Sequence, residues 1–317
     1  MGENTVIISA SRRTDIPALY ADWFFRRIRE GYVYVRNPMN PRRISEISLS
    51  PDVVDGIVFW TKNPTPMLDR LDALREYPFY FQFTLTPYGC DVERNVPSKN
   101  DVLIPAFLTL SSRIGKERVV WRYDPILFSE KYSLEYHKKY FRLLCSRLAA
   151  YTEKCTVSFL DIYKNIRRST DSLGLRPPTD GERDELAGYL GEIAAVHGLT
   201  MDTCAEEADL SRYGIGHASC IDAARLERIS GVRLDIGRDK NQRPACGCAS
   251  AIDIGTYNTC TNGCAYCYAN YSSSLMRYAC NRYDPASPLL CGEITSEDVI
   301  TPREMKSLRA VQTSITE

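Results

Sequence analysis

Cys260-Thr-Asn-Gly-Cys264-Ala-Tyr-Cys267-Tyr-Ala-Asn270 sets three cysteines at the spacing C-x3-C-x2-C, late in a chain of 317 residues. Three thiolates hold three corners of a cubic 4Fe–4S cluster and leave the fourth iron open to another ligand. Two plainer readings stand beside this one: a three-cysteine zinc knuckle, or reduced thiols filling a core. Zinc sites usually pair C-x2-C ends with further cysteine or histidine at ribbon spacing, and no such partner flanks the motif closely. Spacing and context favour iron–sulfur.

The rest of the cysteine distribution agrees with metal or redox chemistry. Of twelve cysteines, three (Cys90, Cys145, Cys155) are scattered through the first half and nine fall between Cys204 and Cys291. A secreted disulfide scaffold is short and cysteine-dense throughout, which this chain is not. Forty basic and forty acidic residues cancel, so no global field argues for nucleic acid or an anionic membrane. The opening MGENTVIISAS lacks a charged-then-apolar leader pattern and no apolar run reaches membrane-spanning length, so a soluble, cytoplasmic protein without a membrane partner is expected.

Working outward, residues 1–203 repeat one theme: an apolar strand, a polar end, then an amphipathic helix. The predicted strands are Val6–Ala10, Gly56–Trp60, Phe79–Leu85, Val119–Tyr123, Thr156–Leu160 and Leu199–Asp202. Tyr32–Val35 adds a short one. Leu19, Trp23, Phe24 and Ile28 fall at helical spacing after Pro17, as do Met67, Leu68, Leu71 and Leu74. Helices are also expected over about 102–114 and 134–149. Thr179-Asp-Gly-Glu182 reads as a capping box ahead of a helix ending at Gly198. Alternation of this kind predicts a parallel sheet, and six units with polar strand ends predict a barrel or partial barrel with its site at the strands' C-terminal ends. A doubly wound open sheet is the main competitor, but no G-x-G-x-x-G follows any strand.

Beyond Cys204 the texture becomes loop-rich, and Ala251–Gly255 reads as one more short strand feeding into the cysteine motif. The tail from about Ser296 reads as helical and charged. The expected organisation is a barrel core over 1–203, a cysteine-rich region over 204–270 that completes it, and a tail with a helix over 271–317.

Polar residues recur at the strand ends: Ser11, Arg12 and Asp15, then Thr61 and Lys62, Thr84, Arg122 and Asp124, and Ser158. Singly, each has an ordinary role. Thr61, Thr84 and Ser158 suit helix caps or turns, Arg122 and Asp124 an ion pair, Lys62 a solvated loop. Together, at one end of a barrel, they surround a cavity. Arginine there suits a carboxylate bidentately, and an acidic group suits ribose hydroxyls or an ammonium.

Cys204, Cys220, Cys246 and Cys248 form a second constellation. Four thiolates hold an auxiliary 4Fe–4S cluster or a tetrahedral zinc; the alternative is inert buried thiols. Cys246-Gly-Cys248 is tight for a usual zinc knuckle; the predicted position of Cys204 at a strand end beside the cavity favours a second cluster, and His217 is a substitute ligand. Cys280 and Cys291 receive no role.

A C-x3-C-x2-C loop after a strand resembles the radical S-adenosylmethionine (SAM) superfamily. There the loop follows the first strand of a six-stranded partial barrel and its open iron binds SAM. In that superfamily the loop lies toward the N-terminus, whereas here it comes last, so the resemblance implies a circular permutation with the strand at 251–255 acting as the first and that at 6–10 as the second. The branch similar to spore photoproduct lyase matches best: Ser9-Ala-Ser11-Arg-Arg-Thr-Asp15-Ile-Pro17 is similar to its second strand end, Thr61-Lys62 to its third, and Thr84, Thr86 and Arg122-Tyr-Asp-Pro125 to later ones. Nearly the whole chain also resembles a bacterial family filed as domain of unknown function 1848, noted for a C-terminal cysteine cluster of this type.

The resemblance implies an α/β fold, a TIM-like (β/α) partial barrel with parallel strands and a C-terminal metal-bearing subregion. It implies a catalytic 4Fe–4S cluster on Cys260, Cys264 and Cys267. SAM would be contacted from among Thr84, Arg122, Asp124, Ser158 and Tyr266, whose ring packs over the cluster. Substrate would meet Ser11, Arg12, Asp15 and Lys62, and a reductant such as ferredoxin or flavodoxin would supply electrons. The substrate, a small molecule or nucleic-acid-derived, is not specified. The competing expectation is a non-catalytic or electron-transfer iron–sulfur or zinc protein. A barrel hydrolase using Asp15, Asp124, Asp161 and Glu206 ranks last, since it leaves the cysteines unexplained. The permutation carries a geometric test: Cys260 must share the barrel mouth with Ser9 and Lys62.

Overall fold

The computed structural model describes residues 6–310. Residues 1–5, part of the opening stretch read for a leader, and residues 311–317 of the tail lie outside the described residues. The strands are β1 (Ile7–Ala10), β2 (Tyr32–Arg36), β3 (Arg43–Ser48), β4 (Gly56–Thr61), β5 (Phe79–Thr84), β6 (Val119–Ile126), β7 (Lys154–Phe159), β8 (Thr200–Thr203), β9 (Ile215–His217), β10 (Ile252–Asp253) and β11 (Val299–Pro302). Eight of them form one sheet in the order β10-β1-β4-β5-β6-β7-β8-β9, and every neighbouring pair is parallel. The strand preceding the cysteine motif therefore lies beside β1, with Ile8 opposite Ile252 and Ser9 opposite Asp253.

Alternating side chains of this sheet enter two different cores, as a period of two requires. Ile8, Ala10, Ile57, Phe59, Phe81, Phe83, Trp121 and Val157 pack with the outer helices in the main core. The helices are Ile16–Leu19, Ala21–Glu30, Ile104–Ile114, Leu134–Leu148 and Asp180–Val196, with a 3-10 helix over Thr65–Leu74. The expected capping box is formed: Thr179 accepts from the Glu182 amide while the Glu182 carboxylate accepts from the Thr179 amide.

Ile7, Val58, Tyr80 and Val120 face the other way, into a core built from Ala218, Cys220, Ile221, Leu226, Cys246, Cys248 and Ala249. The cysteine-rich segment thus covers the second face of the sheet. Backbone polar groups there are met by side chains: the Cys220 carbonyl accepts from Tyr80 Oη at 2.6 Å and Gln82 Nε2 at 2.8 Å.

Of the barrel or partial barrel expected, the structure shows a parallel eight-stranded sheet whose edges, β10 and β9, do not pair among the described residues, and a folded-in segment buries its second face. The tail is not helical from Ser296. Val299–Pro302 is a strand pairing in parallel with β3 in a second sheet of order β11-β3-β2, and no helix follows it through residue 310. Val299, Ile300 and Thr301 are β-branched, which suits a pleated strand better than a helix. The helix of this region lies earlier, over Ser273–Asn281.

Candidate active site

A cavity of 780 Å³ opens at the C-terminal ends of the parallel strands. Its wall takes residues from the ends of β1, β4, β5, β6, β7, β8 and β10, because in a parallel sheet all these ends fall on one side. Ser11, Arg12, Asp15, Lys62, Thr84, Arg122, Asp124, Ser158 and Tyr266 all line it, together with Cys260, Cys264 and Cys267. So do Cys204, Cys220, Cys246 and Cys248. His217, the substitute ligand, is not in this wall, and neither are Cys280 and Cys291. Of the geometric test, Cys260 and Lys62 share the cavity; Ser9 lies one layer below, donating to the lining residue Asp253 at 2.9 Å.

The cysteine loop is clamped from both sides. On one side Ala265 N donates to Val92 O at 2.8 Å, and Asn95 N to Asn262 O at 3.0 Å. On the other, Tyr268 Oη donates to Arg12 O at 2.7 Å. Gly263 has φ +68°, with the Asn95 side chain 3.2 Å from where a Cβ would stand; that left-handed backbone suits glycine. Burial pushes the three thiols up, Cys264 to about 12 even though Lys62 opposes the rise.

Two buried carboxylates tie this loop to the strand ends. Asp253, at the end of β10, accepts from Ser11 Oγ at 2.6 Å, Arg12 N at 2.8 Å and Gly255 N at 2.9 Å, besides Ser9. The turn after it requires glycine: a Cβ on Gly255 would stand 2.0 Å from Ser11 Oγ. Asp15 accepts from Lys62 N at 2.8 Å, from Ala18 N at 3.1 Å and from Asn262 Nδ2, inside the motif, at 3.1 Å. Burial raises the Asp15 carboxyl despite these donors.

Glu93 is the third tie. It is 1% exposed and accepts from Lys62 Nζ at 2.7 Å, Thr86 Oγ1 at 2.8 Å, Lys99 Nζ at 2.5 Å and the Tyr266 hydroxyl. Burial pushes its carboxyl up, but Lys62 and Lys99 outweigh that and hold it at about 2. Lys62 is correspondingly raised: burial would lower it, and the Glu93 charge prevails. Tyr266 is thus fixed against Glu93, with the Lys62 ammonium 5.5 Å from its ring centre.

At the ends of β6 and β7, Asp124 accepts from Arg122 and from Ser158 Oγ. Burial would raise Asp124, yet the Arg122 charge holds it below the ordinary carboxylate range. Arg122 also reaches Gln82 Oε1 at 3.2 Å and Cys220 Sγ at 3.0 Å. Cys220 Sγ lies 3.1 Å from Cys204 Sγ, and Ile221 N donates to Cys248 Sγ at 3.4 Å. Every cysteine is free. Among the described residues no group of three or more His, Cys, Asp or Glu side chains is placed to hold a metal ion.

The ordinary roles weighed for these residues are partly filled. Thr61 Oγ1 accepts from Asn63 N at 2.9 Å in a turn, and Asp15 caps a short helix. The carboxylates proposed for a hydrolase are engaged: Asp15 and Asp124 as above, Asp161 with Arg243 at 2.6 Å, and Glu206 with Phe159 N at 2.8 Å.

Sequence reasoning missed Glu93, Asp253 and Asn262. Asp253 left a trace, a lone acid inside an apolar strand that feeds the motif. Glu93 left none, since it sits in a patternless loop.

The fold and site define an α/β protein with a thiol-lined cavity at the strand ends of a parallel sheet. Over residues 7–269 the chain matches the family described as "Domain of unknown function (DUF1848)", and it belongs to that family. No curated protein and no solved structure matches it. Among the described residues no helix is long and apolar enough to cross a membrane.

Proposed function

We propose that the protein is a radical SAM-type enzyme, with a 4Fe–4S cluster on Cys260, Cys264 and Cys267. The observation that carries this reading is the position of the three thiols: on the loop after β10, over the cavity that the strand ends of a parallel sheet surround. The donor set fits the group. All three sulfurs are free thiols, and three irons of a cubane each take one thiolate, so a single-ion cage is not required. Held by Cys260, Cys264 and Cys267, such a cluster would supply the electron for reductive cleavage of SAM and so for hydrogen-atom abstraction from a substrate.

The chain's own residues bind, orient and exclude water. Asp253, Asp15 and Glu93 hold the cysteine loop against the strand ends through the bonds above. Lys62 sets a positive charge beside Cys264. Thr84, Asp124 and Ser158 are the cavity groups offered to SAM, and Ser11 and Arg12 those offered to substrate. The volume lies within the range of small-molecule sites, about 300–1,000 Å³. A small reductant such as ferredoxin or flavodoxin is the implied electron donor.

Anaerobic reconstitution with iron and sulfide, then reduction with dithionite in the presence of SAM, tests the reading. Formation of 5′-deoxyadenosine that disappears in Cys264→Ala supports it. A protein that binds iron yet yields none is an electron-transfer protein, and a colourless one with stoichiometric zinc refutes the cluster.

A further inference from the structure

We infer that Cys204, Cys220, Cys246 and Cys248 together form a second metal centre, a four-thiolate site separate from the cysteine loop. The inference does not depend on radical chemistry at Cys260–Cys267. Four observations carry it.

The first is convergence. Cys204 follows β8, Cys220 follows β9, and Cys246 and Cys248 belong to the segment before β10, yet all four line the same cavity. Cys220, Cys246 and Cys248 share one buried cluster against which Cys204 packs, and Cys204 Sγ and Cys220 Sγ stand 3.1 Å apart. The 3.1 Å separation is too long for a disulfide, about 2.05 Å. It is within a modest side-chain adjustment of the roughly 3.8 Å between sulfurs on a tetrahedral ion with 2.3 Å bonds.

Charge is the second. Four thiolates around a divalent ion, or around an iron–sulfur core, carry net negative charge. The buried guanidinium of Arg122, 3.0 Å from Cys220 Sγ, faces that charge while its other edge holds Asp124.

Backbone support is the third. Ile221 N points at Cys248 Sγ at 3.4 Å, a contact that strengthens when the sulfur is a thiolate. Fourth, the segments bearing the four thiols are poor in regular structure, so a metal would supply the cross-link they lack. They join by few backbone bonds, such as Ala249 N to Ile221 O at 2.9 Å and Ala218 N to Thr203 O at 2.7 Å.

Loading is balanced simply. Each S–H proton leaves to solvent as its S–metal bond forms, and no electron is transferred when the ion binds as zinc or as a preassembled cluster. Thiolate ligation is the shared chemistry, and the metal present distinguishes its two sources.

The test removes the other site first. The full-length variant Cys260→Ala/Cys264→Ala/Cys267→Ala is purified anaerobically and its iron, zinc and sulfide are counted. About one zinc, or about four irons with sulfide, per chain is expected. Adding Cys246→Ser/Cys248→Ser should reduce that at least about tenfold. Should the added pair unfold the chain, X-ray absorption on the triple variant decides: about four sulfurs near 2.3 Å support the site, and nitrogen or oxygen ligation overturns it. A folded triple variant without metal after both iron–sulfide and zinc reconstitution overturns it too. So does a Cys204–Cys220 disulfide in the anaerobic protein. None of these outcomes bears on whether the unaltered cysteine loop cleaves SAM.

Discussion

Asp253 lies directly beside Ser9 in the parallel sheet, and its carboxylate accepts the Ser9 hydroxyl at 2.9 Å across 244 residues of chain. Through that pair the C-terminal cysteine loop is seated at the end of the strand that opens the fold. The same carboxylate gathers Ser11, the Arg12 amide and the Gly255 amide, so one residue fixes the first two strand ends and the turn into the motif.

Asp253→Ala leaves these donors without their acceptor. A loss of about 3–5 kcal/mol in unfolding free energy is expected, the range for breaking a buried charged network. Iron bound at the cysteine loop should fall with it. Urea denaturation and metal analysis check both, and a change under about 1 kcal/mol with full iron would contradict the role.

Glu93 makes stability depend on acid. Its folded-state carboxyl is held at about 2 against an ordinary 4.5, so the unfolded chain takes up the proton first. The contribution is therefore fully present above about pH 5, and is lost as pH falls from there toward 2. Glu93→Gln should be less stable than the unaltered protein at neutral pH, with Lys62 and Lys99 left facing a neutral amide. The difference should narrow as pH drops below 4.5. Denaturant midpoints from pH 3 to 7 measure it, and a difference that stays constant would remove Glu93 from this role.

Arg122→Lys separates the two cysteine groups. A lysine lacks the planar fork that holds Asp124, Gln82 and Cys220 together. Metal held by the four-cysteine group should weaken by roughly 10–100-fold, as for other supports of metal ligands. The cluster at Cys260, Cys264 and Cys267 should keep its iron. Competition with a chromogenic chelator reports the first effect and the visible spectrum the second.

Gly255→Ala pushes a methyl to 2.0 Å from Ser11 Oγ, displacing the hydroxyl that donates to Asp253. Overpacking of this kind costs about 1–3 kcal/mol. Gly181→Ala, at a helix position with open space around it, should cost nothing. Thermal unfolding of the two variants side by side tests the contrast.

Much of the sheet was legible. Val6–Ala10, Gly56–Trp60, Phe79–Leu85 and Val119–Tyr123 are short apolar runs bounded by turns, and parallel strands buried on both faces read in that way. The strand ends followed, so Lys62, Arg122, Asp124 and Ser158 could be named before they were seen together. The second sheet was not legible beyond Tyr32–Val35, because β3 is only partly buried, β11 is exposed throughout, and the two are paired across the length of the chain. The folded-in segment was also hidden, since its hold on the sheet comes from single long-range bonds such as Tyr80 Oη to the Cys220 carbonyl.

By itself, then, the sequence determined the local chemistry: the C-x3-C-x2-C spacing, the alternation of strand and helix, and which polar residues end each strand. These are properties of neighbours along the chain, written in periodicity and residue type. Only the tertiary structure decided that β10 pairs with β1, that Asp253, Asp15 and Glu93 are the buried ties, and that seven cysteines face one cavity. Such contacts join segments up to 247 residues apart. Their partners leave no pattern in either segment, because each is selected by packing that exists only once both have arrived.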